Sequence, residues 1–344
     1  MIIIIRETPD FVADKNGKLR ALENILAAAG ECKHLLWMPT QAVDSLLGVD
    51  ELSGYAKRIL FELKSFVRET RGIEAIFDFY VVVDFDDAGR LDDSNAGELV
   101  VGYGHFKDSG STQKCSFITE NLRDAEAFKI GAEIYLCKHR LSRAHKVSLR
   151  LAPGGGNTTY DSFLDYKKED VFFLCVIDSD LKHPKGAKGT TATRFNGERK
   201  GLQGKGYLNV LECHEIENII PIKIASIASD GKIEEGLILK RGKSIRYRLF
   251  PDHKNGLCVN DAAELDEKHN DDFWKEFYAD VTAGRKIWLI PPLGENFLSD
   301  SLRIMAETST AKLLEMIDES EDELWWTTSR LVASWGIAMK RPIP

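Results

Sequence analysis

The sequence predicts an α/β fold around a central, mostly parallel sheet, with an N-terminal α/β region and a mainly helical C-terminal region. The strongest observation is a run of seven apolar residues, 171–177, that ends on Asp178 and Asp180. An unbroken apolar run rich in Val, Phe and Ile is typical of a strand buried on both faces of a parallel sheet. Further strand-like runs alternate with helical segments on both sides of it, which favours an α/β arrangement.

The elements divide the chain of 344 residues into three predicted regions, 1–110, 111–225 and 226–344. The first region combines Ile-rich and Val-rich strands with helical stretches near 18–29 and 53–70, and it shows no recognisable chemistry. From about residue 226 the sequence becomes helical and acidic. Its closing stretch, 324–335, carries three of the six tryptophans, so as a helix it is expected to pack on the core or to meet a partner.

In the middle region, acidic residues and glycines come directly after the predicted strands. Asp178 and Asp180 point to the same side of the chain because side chains alternate along a strand. Ligands of open α/β sheets bind at the carboxyl ends of the strands, and converging carboxylates suit Mg²⁺ or Mn²⁺. The predicted strands are 114–119 before Glu120, 146–151 before the glycine turn Gly154–Gly156, 171–177 before Asp178, and 207–211 before the acidic segment 212–221.

This ordered set resembles the Toprim domain, a Rossmann-like metal-binding module of topoisomerases, primases, recombination mediators and OLD-family nucleases. The spacing of Glu120 and Asp124 is similar to that of the acids at the first metal site of OLD-type nucleases. The segment 215–221 is similar to a Glu-x-Glu-Asn segment of Toprim proteins in phage-defence operons. The resemblance covers about a third of the chain, roughly residues 111–225.

The resemblance implies a metal-dependent endonuclease that uses Mg²⁺ or Mn²⁺, with two ions expected. In such sites one ion activates water and the other stabilises the leaving oxygen. Lys182, Lys185 or Lys188 would supply an additional positive charge. The implied catalytic residues are Glu120, Asp178, Asp180 and Lys182, and the implied metal ligands are Glu120, Asp124, Asp178, Asp180 and Glu217.

The biological role implied by the resemblance is that of an effector in antiphage defence, controlled by a partner ATPase or sensor protein. We expect a cytoplasmic protein, with oligomerisation left open. The chain has no apolar stretch of membrane-spanning length, and its six cysteines are far apart in sequence, as in a reduced protein.

The distribution of charge predicts contact with nucleic acid, although the whole chain has a net charge of −8. The segment 181–206 contains seven Lys or Arg residues against a single acid, with glycines between them. Such a basic loop beside a metal site favours phosphate binding. A second segment, 240–250, mixes cations with aromatic residues, and its role stays open between phosphate contact and ordinary salt bridges. The predicted nucleic-acid-binding residues are Lys185, Lys188, Arg194, Arg199 and Lys200.

Two alternative functions remain open from the sequence. A metal-dependent phosphoryl or glycosyl transferase would use the Asp178/Asp180 pair alone, and a non-catalytic Toprim subunit would only bind nucleic acid or a partner. A second Asp-x-Asp lies at Asp84 and Asp86, and the segment from Asp84 to Asp87 is interpreted as a solvated hairpin or loop. His183 and His214 are predicted to be polar surface residues. No P-loop or Cys-x-x-Cys pair occurs.

Overall fold

Two five-stranded, mostly parallel sheets organise the chain. The computed structural model describes residues 1–95, 97–279, 281 and 286–343. One hydrophobic core connects all three predicted regions and includes Ile3, Phe128 and Trp335. A smaller cluster around Phe163 and Ile177 covers the other face of the second sheet. The α/β class is therefore confirmed.

The N-terminal sheet has the strand order β2-β1-β3-β5-β4, in which β4 is antiparallel to β5 and the other pairs are parallel. Its strands are β1 (Ile2–Ile4), β2 (Leu35–Trp37), β3 (Tyr80–Asp84), β4 (Leu91–Asn95) and β5 (Glu98–Gly102). The helices of this region are α1 (Lys15–Gly30), α2 (Thr40–Leu47) and α3 (Gly54–Phe66), with 3₁₀ turns at Ile73–Ile76, Tyr103–Lys107 and Ser109–Thr112.

The central sheet has the order β10-β11-β9-β6-β8, and all its pairs are parallel except β10 with β11. All five residues of β9 are buried, as expected for the middle strand of a covered parallel sheet. The elements in chain order are β6 (Ser116–Thr119), α4 (Leu122–Lys138), β7 (His145–Val147), β8 (Arg150–Pro153), a 3₁₀ turn (Gly156–Thr158), α5 (Thr159–Lys168), β9 (Phe173–Ile177), α6 (Thr190–Arg194), β10 (Gly201–Gln203) and β11 (Gly206–Val210).

The strand predicted at 146–151 is two strands in the structure. β8 joins the central sheet, whereas β7 pairs with a strand near the end of the chain. The break lies at Ser148 and Leu149, where the Ser148 amide donates to the Gly336 carbonyl at 2.7 Å. The prediction of one strand was wrong because β7 pairs with residues 337–339, which are distant in sequence and give no local signal.

The C-terminal region is mainly helical, as predicted, but it includes three short strands. β12 pairs antiparallel with β13, and β14 pairs antiparallel with β7. In chain order the elements are a 3₁₀ turn (Ile216–Ile219), α7 (Ile222–Ala228), a 3₁₀ turn (Lys232–Glu235), α8 (Leu237–Lys240), α9 (Ser244–Tyr247), β12 (Leu257–Cys258), α10 (Val259–His269), α11 (Lys275–Tyr278), β13 (Trp288–Ile290), α12 (Phe297–Glu307), α13 (Thr310–Glu315), α14 (Glu323–Gly336) and β14 (Ile337–Met339).

The tryptophan-rich helix α14 packs against α4 in the core. Trp325 and Trp335 are buried, and the Trp335 ring stacks on Phe79 with centroids 3.9 Å apart. A Cβ at Gly131 of α4 would lie 2.3 Å from the Ser329 hydroxyl, so glycine lets the helices approach closely. The tryptophans thus stabilise the fold through burial. In the described ranges, no helix has both the length and the apolar character needed to cross a membrane.

Candidate metal centre and catalytic site

Glu120 and Asp178 come after two neighbouring parallel strands, at the same edge of the central sheet. Glu120 is the residue after β6 and Asp178 the residue after β9, and these strands pair in register with Ile118 opposite Cys175. The carboxyl ends of parallel strands lie together, so the two acids are neighbours although 58 positions separate them. Mutual repulsion with Asp124 and Asp180 contributes to the raised pKa of Glu120, so these groups face one space.

The predicted glycine turn holds the main chain of Glu120. The amides of Gly155 and Gly156 donate to the Glu120 carbonyl at 3.0 and 3.2 Å, and the Gly154 amide donates to the Thr119 carbonyl at 2.7 Å. Gly155 and Gly156 have φ of +76° and +64°, which side chains disfavour. The turn after β8 therefore fixes the end of β6, where the first acid lies.

The turn that carries Asp178 and Asp180 is attached to the segment after β11. The Asp180 amide donates to the His214 carbonyl at 2.8 Å, and the Ser179 hydroxyl donates to the Cys213 carbonyl. Asp180 itself has φ of +57°, a conformation uncommon for a residue with a side chain. These bonds hold the turn in an unusual shape and set the direction of the Asp180 carboxylate.

Asp124 has both a structural contact and a free oxygen. It forms a capping box at the start of α4: Asp124 Oδ2 accepts from the Asn121 amide, and Asn121 Oδ1 accepts from the Asp124 amide, each at 3.2 Å. The other oxygen, Oδ1, is buried and has no hydrogen-bond partner among the described residues, and the same is true of Oε1 of Glu120. Buried carboxylate oxygens without partners are expected where a cation binds.

Glu215 and Glu217 face the same lysine, Lys254. The Lys254 ammonium lies 2.7 Å from Glu215 Oε2 and 3.2 Å from Glu217 Oε1. In a helical segment these two acids could not both face one site. Here Glu215 precedes the 3₁₀ turn as its cap, so both side chains reach Lys254. Glu217 is buried and therefore belongs to the site interior.

Burial and mutual repulsion raise the pKa of the clustered acids. The pKa of Glu120 rises to about 7, and those of Asp124 and Glu217 rise to about 6, with burial as the main cause. Burial, then repulsion from Asp124, Glu120, Glu217 and Glu215, raises the pKa of Asp178 well above its ordinary value. Burial also raises the pKa of Asp180, against the opposing effect of His214. The site is thus a pocket of negative charge that a cation would relieve.

The donor set fits a divalent cation, although the side chains do not converge fully. Carboxylate oxygens are the ligands that Mg²⁺ and Mn²⁺ prefer, and two of them are buried without partners. Across residues 1–95, 97–279, 281 and 286–343, no three His, Cys, Asp or Glu side chains are close enough to hold an ion as arranged. Binding would therefore require side-chain rotation, and Glu215 and Glu217 would exchange Lys254 for the cation.

The basic segment 181–206 begins at this edge of the sheet and includes α6 and β10, and most of its cations have acidic partners. Lys182 is exposed and lies 3.9 Å from Asp252, and Lys185 lies 3.2 Å from Asp271. Arg194 binds Asp161 at 2.7 Å, and Arg199 binds Asp93 of β4 at 2.6 Å. Lys188 and Lys200 line a cavity. The charge of Lys182 lowers the pKa of Asp180, against the larger effect of burial. Lys182 therefore remains a candidate to supply the additional positive charge.

The second basic segment, 240–250, does not form a continuous phosphate-binding surface. Arg248 is buried, pairs with Asp322 at 2.9 Å and donates to the Ile220 carbonyl at 2.8 Å. Arg246 is exposed and lies over the ring of Phe273. The salt-bridge interpretation is therefore correct for Arg248.

Two histidine predictions were wrong, and one lysine was missed. His183 and His214 are buried, not on the surface. The His183 ring lies 3.2 Å from Asp266 and stacks on His269, contacts made by residues far along the chain. Lys254 was missed because it lies 37 positions beyond Glu217, in a loop without a motif. In the control pair, Asp86 is exposed as predicted, whereas Asp84 ends β3, accepts from the Asp86 and Asp87 amides and binds Arg90.

Comparison with known proteins adds no assignment, since no family model, curated protein or solved structure matches the chain.

Proposed function

We propose that this chain is a Toprim-type, metal-dependent nuclease that hydrolyses phosphodiester bonds of DNA or RNA with Mg²⁺ or Mn²⁺. The observation that carries the proposal is the position of Glu120, Asp124, Asp178, Asp180 and Glu217 near one edge of a parallel sheet, where burial and the charges of neighbouring acids raise their pKa values. These five acids come from three separate segments. A divalent cation would relieve the repulsion among them.

The residues have distinct tasks in this proposal. Glu120, Asp124, Asp178, Asp180 and Glu217 would hold the metal, which supplies water activation and charge stabilisation when bound. Partial burial would lower the pKa of Lys254, but its bonds to Glu215 and Glu217 raise it, so it stays protonated. Lys254 therefore keeps a positive charge among the acids. It joins Lys182 as a candidate to stabilise the phosphoryl oxygens.

The metal-dependent cleavage of nucleic acids tests this proposal. Supercoiled plasmid, single-stranded DNA and transfer RNA would be incubated with Mg²⁺ or Mn²⁺ and the wild type, Glu120→Gln or Asp178→Asn. We expect both substitutions to abolish cleavage. Asp86→Asn, at the Asp-x-Asp of the other sheet, is the matched control and should cut as the wild type does.

Each other result has a definite meaning. If Asp178→Asn stops activity and Glu120→Gln does not, the site uses the Asp178/Asp180 pair alone, as a phosphoryl or glycosyl transferase would. If both variants cut as well as the wild type, the cleavage arises elsewhere and the nuclease proposal is wrong.

The defence role and its partner belong to the same proposal by analogy with OLD-type and defence-operon Toprim proteins. In that role a partner ATPase or sensor would release the nuclease in the cytoplasm. Co-expression of the chain with candidate partner ATPases or sensor proteins, followed by phage challenge, tests this role. The Asp178→Asn variant should remove any protection.

A further inference from the structure

A cavity of about 630 Å³ lies beside the turn that carries Asp178 and Asp180. Ser179, between the two aspartates, forms part of its wall. Further walls come from the basic segment, the end of β11, the segment around α9 and the first turns of α14. This volume is in the usual range of small-molecule sites.

The cavity has an apolar part large enough for a ring system. Its apolar lining includes Leu181, Val210, Leu211, Leu249, Phe250 and Leu324. Ile245 also lines it and is 47% exposed, although it is a large apolar side chain. A flat, weakly polar group bound there would cover this surface.

Apart from Arg248, which pairs with Asp322, the cations that line the cavity have no acidic partner among the described residues. Of the seven Lys and Arg residues of 181–206, Lys182, Lys185, Arg194, Arg199 and Lys205 each lie near a carboxylate. Lys188 and Lys200 have no such ion pair in the part of the chain that the structure describes, and both line the cavity. The two cations of the segment that lack an acidic partner therefore line the same cavity.

The segment around α9 contributes a third cation to the lining. Arg246 also lines the cavity, and its guanidinium packs 4.8 Å from the Phe273 ring centroid, with no carboxylate paired to it among the described residues. The acids of the lining are Glu212, Glu321 and Glu323. Glu321 already accepts a hydrogen bond from Ser244, which leaves Glu212 and Glu323 to accept from hydroxyl groups of a ligand.

We propose that this cavity binds one nucleotide unit. The apolar lining would take the base, Glu212 or Glu323 would accept from sugar hydroxyls, and Lys188, Lys200 and Arg246 would bind the phosphate. The unit is either a free nucleotide or part of a strand. The strand case rests on the proposed nuclease function, because the turn that carries Asp178 and Asp180 contributes Ser179 to the cavity wall.

Binding in metal-free buffer tests this proposal without cleavage. Nucleoside monophosphates and short fluorescein-labelled DNA or RNA strands would be titrated in EDTA into the wild type and Lys188→Ala/Lys200→Ala. We expect the double variant to bind about tenfold more weakly or worse. Lys167→Ala/Lys168→Ala removes the same charge at cations paired with Glu198 and Asp165, and it should bind as the wild type does.

The outcomes distinguish a free nucleotide from a unit of a strand, and they distinguish the nucleotide-site proposal from the nuclease proposal. Binding of monophosphates supports a free nucleotide, and binding of strands alone supports a strand unit, provided that Lys188→Ala/Lys200→Ala weakens it. Arg246→Ala, in the segment around α9, should reproduce the loss. No binding of either probe, or equal loss in both double variants, would overturn the inference. A wild type that binds these probes but takes up no Mn²⁺ would remove the nuclease proposal and keep the nucleotide site.

Discussion

At the residue scale, the charge of Glu120 destabilises the protein when no cation is present. Its pKa is raised from 4.5 to about 7, mainly by burial, so the folded protein holds this proton more tightly than the unfolded chain does. The stability contributed by the raised pKa is fully present below pH 4.5 and is lost as the pH rises to about 7.

We therefore expect Glu120→Gln to become more stable than the wild type as the pH increases from 4.5 to 7 in EDTA. Above pH 7, the free energy of unfolding of Glu120→Gln should exceed that of the wild type by roughly 1–3 kcal/mol. Saturating Mg²⁺ should reverse the order by stabilising only the wild type. Thermal unfolding at several pH values, with EDTA or Mg²⁺, measures both effects. A difference that stays constant with pH would contradict the charge argument.

The sequence could place only those candidate residues whose position relative to a strand is local. Asp178 and Asp180 come directly after a buried apolar run, and Glu120 comes after another, so their placement needs the sheet but no distant contact. Lys254 and the buried His183 depend on contacts between distant parts of the chain, Lys254 with Glu217 and His183 with Asp266. No local sequence pattern predicts contacts between residues so far apart in the chain.

At the element scale, Asp124 connects the start of α4 with the acid cluster. Its Oδ2 caps the helix, and its buried Oδ1 faces the site. Asp124→Asn keeps an oxygen for the cap but removes the charge, whereas Asp124→Ala removes both. We expect both variants to lose activity, with Asp124→Ala less stable than Asp124→Asn by about 0.5–1 kcal/mol. Cleavage assays and urea unfolding measure this, and an active Asp124→Asn would contradict its role as a ligand.

The loop after β9 approaches Asp180 where only glycine fits. A Cβ at Gly189 would lie 1.7 Å from Asp180 Oδ2, so alanine would push the carboxylate aside. We expect Gly189→Ala to weaken Mn²⁺ binding and cleavage strongly. Gly197→Ala, in the loop after α6, meets nothing within 4 Å and is the matched control. Mn²⁺ titration of the two variants compares them, and equal affinities would mean that the direction of Asp180 is unimportant.

At the scale of the whole molecule, the C-terminal region supports the site. Lys254 binds Glu215 and Glu217, and Arg248 ties the segment behind the acids to Asp322 at the start of α14. The sequence showed that 226–344 is mainly helical and that its tryptophans need cover. It could not show that Lys254, in a loop of this region, contacts Glu215 and Glu217 of the candidate site. That contact depends on how the regions pack against each other.

Loss of the buried Arg248–Asp322 pair should destabilise the whole chain. Arg248→Ala leaves Asp322 buried without its partner, which typically costs about 3–5 kcal/mol. Arg303→Ala, which breaks an exposed pair with Asp300, should leave the free energy of unfolding unchanged. Denaturant unfolding of both variants provides the comparison. Equal stabilities would show that the Arg248 pair does not hold α14 in place.

The most direct test of the central claim is calorimetric titration of Mn²⁺ into the metal-free protein. We predict saturable binding to the wild type and to Asp86→Asn, and its loss in Asp178→Asn. If the wild type binds no Mn²⁺, or Asp178→Asn binds it as the wild type does, the acids at the carboxyl edge of the central sheet are not a metal centre.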